Sequence, residues 1–291
     1  MIGHYTVVSF DTSAHNRLAT ADPMSEAVLA GLKSGLYFRF VGLSIEEIIA
    51  TSDPVRRDAL LASCARIQGG MSDCIYPHGE LLRLMILEHS KNQAGFDWKK
   101  VDVKAREFER EIQTRKLIDD AISAEQKAHL KDRQREYKAM YSNLQPKLAA
   151  ILAKHGEAAP PTFQQAVARL KGEGKLIRGM AQLLYDPIAK VDSSEATIQE
   201  FMDVCPPFRA VIYAMLMSWY NLAMRDDKGE RFEAGRNDLY MAVHLPYCDK
   251  FVTAETYREQ EKCLREIVLV AGLDTEILSY DDFCDSFLVT A

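Results

Sequence analysis

The sequence predicts an α/β protein, three-layer α/β/α, whose central, mostly parallel sheet is interrupted by a large all-α insertion. Three observations carry this. Strand-like runs alternate with helical stretches near the start of the 291-residue chain, and the same alternation returns near its end. Between them, from about 78 to 230, no segment shows period-2 alternation while several show helical spacing. That middle stretch is far longer than an ordinary crossover between parallel strands. The chain therefore reads as a first half over residues 1–75, a helical insertion over 76–232 and a second half over 233–291.

The elements follow in order. Residues 5–10, Tyr-Thr-Val-Val-Ser-Phe, are β-branched and aromatic and end at Asp11-Thr12-Ser13, as a buried strand delivering an acid at its carboxyl end does. A helix over 26–33 is capped by Ser25, and 36–43 form a second strand. Ser44 is placed to cap the helix opening Ile45-Glu46-Glu47-Ile48, and Asp53-Pro54 ends it and starts another over 55–67, stopped by Gly69-Gly70. Residues 78–89 are helical, and 101–155 read as one long charged helix broken near Pro146. Ala158-Ala159-Pro160-Pro161 is a hinge, and 163–185 and 208–224 are further helices. Asn237-Asp238 opens a helix through Leu245. Strand 251–253, an amphipathic helix over 256–271 and strand 276–280 close the pattern.

The composition is that of an ordinary globular protein, 47% hydrophobic and 27% charged. A net charge of −6 argues against nucleic-acid binding by the whole surface. The insertion differs: residues 99–155 carry 14 Lys/Arg against 9 Asp/Glu, a local +5, which keeps RNA binding open. The six cysteines form no C-x-x-C pair, so free thiols in a reducing, cytoplasmic setting are expected. Cys248 reads as a packed thiol. The most apolar run, 208–224, holds Arg209 and Asn221. It reads as a buried helix, not a membrane span. His78, Glu80, Glu88 and His89 lack H-E-x-x-H spacing, and Lys171-Gly-Glu-Gly-Lys175 lacks the strand and the G-K-[ST] ending of a phosphate loop.

Functional groups of an open parallel sheet gather at the carboxyl ends of its strands. The acids there are Asp11, Glu46 or Glu47, and Glu255, with Asp238 joining from the start of its helix. Carboxylates crowded into one cleft repel unless a divalent cation such as Mg²⁺ or Mn²⁺ shares them.

Three stretches resemble PIN-like nuclease domains. Val8-Ser9-Phe10-Asp11-Thr12-Ser13 resembles their opening strand and acid, Gly42-Leu43-Ser44-Ile45-Glu46-Glu47-Ile48 their second acidic position, and Asn237-Asp238-Leu239-Tyr240-Met241-Ala242 with Leu245-Pro246-Tyr247-Cys248-Asp249-Lys250-Phe251-Val252-Thr253 their third acidic motif and following strand. The match covers about 5–70 and 235–285 and leaves out the insertion. The resemblance implies a metal-dependent endoribonuclease of toxin, defence or RNA-processing type. Asp11, Glu47 and Asp238 would hold Mg²⁺ or Mn²⁺ or orient water, with Thr12 and Thr253 in support. Where the family often has an Asp after the strand threonine, this chain has Ala254-Glu255. Glu255 or Asp249 then supplies the fourth acid, and Glu46 competes with Glu47 for the second. The alternative is a catalytically degenerate PIN-like module that binds RNA or a protein partner, or self-associates, through its insertion. Asp11→Asn is expected to abolish cutting while relieving repulsion, leaving the metal-free protein as stable as before or slightly more so.

Overall fold

A computed structural model describes residues 5–288 apart from 21–22, 35, 115–117, 154–161, 174, 225–236 and 255–258. Its centre is one five-stranded sheet in the order β3-β2-β1-β4-β5, all parallel. The strands are β1 (Thr6–Phe10), β2 (Leu36–Val41), β3 (Ser72–Ile75), β4 (Lys250–Thr253) and β5 (Glu276–Ser279). β1 pairs with β2 at Val8↔Phe38 and with β4 at Val8↔Lys250. The strand order reverses direction at β1, so the β1/β4 boundary is the switch point of the sheet, where a crevice opens at the carboxyl ends.

Alternation along the strands feeds two cores. One face carries Val8, Phe10, Phe38, Phe40, Cys74 and Val252 and is covered by α1 (Thr12–Leu18), α2 (Pro23–Ser34), α4 (Pro54–Gln68) and α14 (Tyr280–Leu288). The other carries Val41, Ile75, Phe251 and Ile277. It is covered by α5 (His78–Lys91), α11 (Pro206–Met224) and α13 (Glu259–Ala271). The remaining helices are α3 (Gly42–Ile49), α6 (Arg106–Gln113), α7 (Asp120–Ala153), α8 (Phe163–Glu173), α9 (Lys175–Ala189), α10 (Glu195–Val204) and α12 (Asn237–Tyr240), the last running into a 3₁₀ turn, Met241–Tyr247. The result is an α/β protein with helices on both faces of a parallel sheet.

The helices of the central region share a core with the sheet. Phe201, Phe208, Tyr213 and Trp219 lie in one buried cluster with Val41, Phe251 and Ile277. They thus supply much of one covering layer. Burying the large side chains of α11 stabilises by roughly 1.5–3 kcal/mol each, which explains why its near-continuous apolar run sits inside the protein. Among the described residues no helix is long and apolar enough to cross a membrane.

Several elements differ from expectation. β3 went unread: Ser-Asp-Cys-Ile is too short and too polar at its start to stand out. Its Asp73 is buried because Arg39 on β2 grips it through Nε at 2.7 Å and Nη2 at 2.8 Å. Ser44 is no cap. α3 starts at once from Val41, and Ser44 Oγ donates to the Phe10 carbonyl at 3.3 Å. That abrupt start needs Gly42, where a Cβ would lie 2.6 Å from the Ile75 carbonyl oxygen and 2.7 Å from Pro77. The stretch 101–155 is not one helix but α6 and α7. α7 is continuous through Pro146. Residues 163–185 divide into α8 and α9, and the segment after β5 folds into α14, also unforeseen. The expected hinge at 158–161 lies outside the described residues.

Candidate functional site

The switch point is where Asp11 sits. β1 ends at Phe10, and Asp11 keeps an extended backbone while capping α1. The carboxylate is buried and accepts at both oxygens. Oδ1 takes the Ala14 amide at 2.7 Å and the Ser13 hydroxyl at 2.7 Å. Oδ2 takes the Thr253 hydroxyl at 2.6 Å. Ser13 Oγ in turn accepts the Ala254 amide at 2.8 Å, and Asp11 N–H donates to the Val252 carbonyl at 3.0 Å. Three donors converge on one carboxyl group and hold it in a fixed orientation. The frame comes from β1, the first turn of α1 and the end of β4 together.

Glu47 joins from α3. The Thr12 hydroxyl, next in sequence to Asp11, donates to Glu47 Oε2. Two of the expected acids and both expected supporting threonines thus lie on one edge, linked through hydroxyls. α12 comes to that edge as well: Tyr240 stacks on His78, which begins α5 at the carboxyl end of β3, with ring centroids 5.0 Å apart, and Met241 Sδ lies 4.0 Å from Ser44 Oγ. The backbone of Asp238 is therefore at the same edge as Asp11. The Asp238 side chain and all of Glu255 lie outside the described residues.

Two other expected acids do not join this group. Glu46 turns under α7 and pairs with Arg133 Nη2 at 2.6 Å, with side-chain exposures of 10% and 15%. Asp249 is at the amino end of β4, where Oδ2 accepts the Val7 amide at 2.7 Å. That is the other end of the sheet from Asp11, so Asp249 serves the entry of β4 into the sheet, and a role beside Asp11 is ruled out by the length of the strand.

Ser13 and Arg133 were missed. Ser13 had a readable signal, a hydroxyl two residues after the acid in a first helical turn. Arg133 had none, because it lies 87 residues from Glu46 in a stretch that read only as a long charged helix. α7 is fastened beside the site at several points: Arg57 Nη2 to Asp120 at 2.8 Å, Ser123 Oγ to the Thr51 carbonyl at 3.0 Å and Arg133 to Glu46.

The other motifs resolve into architecture. His78 and His89 are both buried, and His89 Nδ1 meets the Tyr185 hydroxyl at 2.8 Å. Glu80 pairs with Arg83 and Glu88 with Lys91. Of the glycine-lysine segment, residues 171–173 end α8 and Lys175 begins α9. All six cysteines are buried, and burial pushes the Cys248 thiol up to about 12, which keeps it protonated and inert.

The carboxylates of Asp11 and Glu47 fit a hard divalent cation in kind. Among the described residues no three His, Cys, Asp or Glu side chains group to hold a metal, so a complete site needs Asp238 or Glu255. Compared with known proteins, the chain matches no family model, no curated protein and no solved structure.

Proposed function

We propose that the protein is a PIN-like, Mg²⁺- or Mn²⁺-dependent endoribonuclease that hydrolyses RNA phosphodiesters at this edge, in the cytoplasm. The observation that supports it most is the buried Asp11 carboxylate at the switch point, held by Ala14, Ser13 and Thr253, with Glu47 tied beside it through Thr12. A structural N-cap needs one side-chain acceptor at a surface helix start. It does not need an acid buried under two hydroxyls from separate elements. In this reading Asp11, Glu47 and Asp238 hold the ion, with Glu255 as the fourth acid. Thr253 and Ser13 fix which Asp11 lone pairs face the cleft, and Thr12 does the same for Glu47. A divalent ion bound there would make water more acidic and neutralise charge developing on the phosphodiester. The net-positive stretch 99–155 is the surface offered to RNA.

A second reading has support from the Glu46–Arg133 pair and from Ala254, which stands where an acid would complete the cluster. It is a PIN-like module without catalysis that holds RNA or a protein partner through the helical region. One experiment separates them. Single-stranded RNA is incubated with the purified chain and Mg²⁺ or Mn²⁺, beside Asp11→Asn. Metal-dependent cleavage lost in the variant supports the nuclease, and RNA retention without cleavage in both proteins favours the module.

A further inference from the structure

The helical layer encloses a second concave site. A cavity of about 490 Å³ lies between α8, α9, α10, α11 and the end of α13, within the roughly 300–1,000 Å³ usual for small-molecule sites. α13 runs back from the carboxyl edge and ends just before β5 begins, so the cavity lies toward the amino edge, away from Asp11. Ile177, Met202, Leu269 and Val270 give it apolar walls.

Three helices bring cations to it: Lys171, Arg178 and Arg209, against the single acid Asp203. Each keeps unused donor capacity among the described residues. Lys171 Nζ stands 5.3 Å over the Tyr213 ring and has no carboxylate partner. Arg178 spends Nη2 on Glu195 at 3.1 Å, while its Nε is buried without an acceptor. Arg209 gives Nε to the Ala271 carbonyl at 2.8 Å and Nη1 to the Met202 and Asp203 carbonyls at 3.0 Å. Its Nη2 donates to no atom of the described residues. Asp203 is itself occupied by Gln199 Nε2 at 3.0 Å. The buried Arg178 Nε without an acceptor is costly, and with the exposed Lys171 and the half-buried Arg209 around the same cavity it makes a receptor for an anion. Apolar walls add a body to that anion.

We propose that this cavity binds a phosphate monoester of mononucleotide size, its phosphate against Lys171, Arg178 and Arg209 and its apolar body against Ile177, Met202, Leu269 and Val270. A phosphate monoester carries about −1.5 to −2 at neutral pH and offers three acceptor oxygens, which matches three donors better than one carboxylate does.

Calorimetric titration of the full chain with AMP, adenosine and inorganic phosphate tests it. AMP is expected to bind at least about tenfold more tightly than either of the others, since charge-assisted bonds and apolar contact act together. Lys171→Met should weaken AMP about tenfold. Leu269→Glu, at a side chain that is 61% exposed, should abolish binding while melting stays that of the wild type. Asp11→Asn should leave AMP binding intact, which separates this cavity from the acidic edge. Absence of AMP binding at about 1 mM, adenosine or phosphate binding as tightly as AMP, full AMP binding in both cavity variants, or loss of it in Asp11→Asn each overturns the proposal.

Discussion

Thr253 donates its hydroxyl to Asp11 at 2.6 Å across 242 residues of sequence. This bond joins β4 to β1 at the point where the strand order reverses, and it is buried on both sides. Thr253→Val keeps the shape and removes the donor, leaving a buried carboxylate oxygen short of a partner. The expected loss is about 1–3 kcal/mol, a drop in Tm of several degrees. Thr253→Ser should recover most of it. Thermal melts of the three proteins check this.

Asp11→Asn is expected to destabilise as well. The sequence alone pointed the other way, toward relief of repulsion. The geometry reverses the sign, because Asp11 meets donors from Ala14, Ser13 and Thr253. An amide nitrogen in place of Oδ2 forces the Thr253 hydroxyl to turn and accept, and its bond to the carboxylate is lost. Loss of about 1–3 kcal/mol follows. Activity must therefore be compared per folded molecule, by cleavage at a temperature where both proteins are folded by circular dichroism.

Arg133→Met should cost about 3–5 kcal/mol, since it strands Glu46 as an uncompensated buried charge. Arg135→Met, at an exposed pair with Asp132, should change stability by no more than about 1 kcal/mol. Denaturant unfolding of the two variants measures the contrast. The double change Arg133→Met with Glu46→Gln should recover part of the first loss.

Gly42→Ala places a methyl carbon against the Ile75 carbonyl and Pro77. Both are backbone or ring atoms that cannot swing aside, so a loss of at least about 1–3 kcal/mol is expected from overpacking. Gly79→Ala is the control, since nothing lies within 4 Å of a Cβ there. Melting both variants beside the wild type decides the point.

Burial lowers the pKa of His15 and of His78 to about 3 and that of His244 to about 4. For His244 it outweighs the opposing pull of the Tyr76 and Met241 carbonyls. The folded values lie below 6.5, so acid protonates the unfolded chain first. Stability is complete above pH 6.5 and drains as pH falls toward 4 and 3, at about 1.4 kcal/mol per pH unit for each proton. Melting temperature against pH should be level above neutrality and fall steeply below about 6. His15→Phe should flatten that slope. The ring is stacked on Phe40 with centroids 6.0 Å apart, so phenylalanine fits the same nest without a proton to gain.

What the sequence made legible followed strong local signals. β1 was readable because Thr-Val-Val-Ser-Phe ends on Asp-Thr-Ser, and the same abruptness marked Asp11. Thr253 was readable as the end of an apolar run, although the bond it makes was visible only through the resemblance. The sequence leaves Glu46 and Glu47 in competition for the second acidic position. The structure puts Glu46 deeper, yet it is Glu47 that reaches the Thr12 hydroxyl. Periodicity shows which face is covered and cannot show what covers it. Here that is Arg133, from a helix far away in the sequence. β3 was hidden for a related reason: Asp73 looks like a loop residue until Arg39 is beside it.

The sheet order β3-β2-β1-β4-β5 also governs when the candidate site exists during synthesis. β1, β2 and β3 all leave the ribosome early, and the local helices α1 to α4 can pack on them at once. The other flank of β1 stays open until β4 arrives more than two hundred residues later. Closing a loop of that length is entropically slow, which makes the β1/β4 joint a late event in folding. For most of its synthesis the nascent chain carries Asp11 at an unpaired sheet edge. A chain that stops short of residue 250 never gains the strand that completes the cleft. If the protein cuts RNA, the ribosome that makes it is shielded from the half-made product by topology alone.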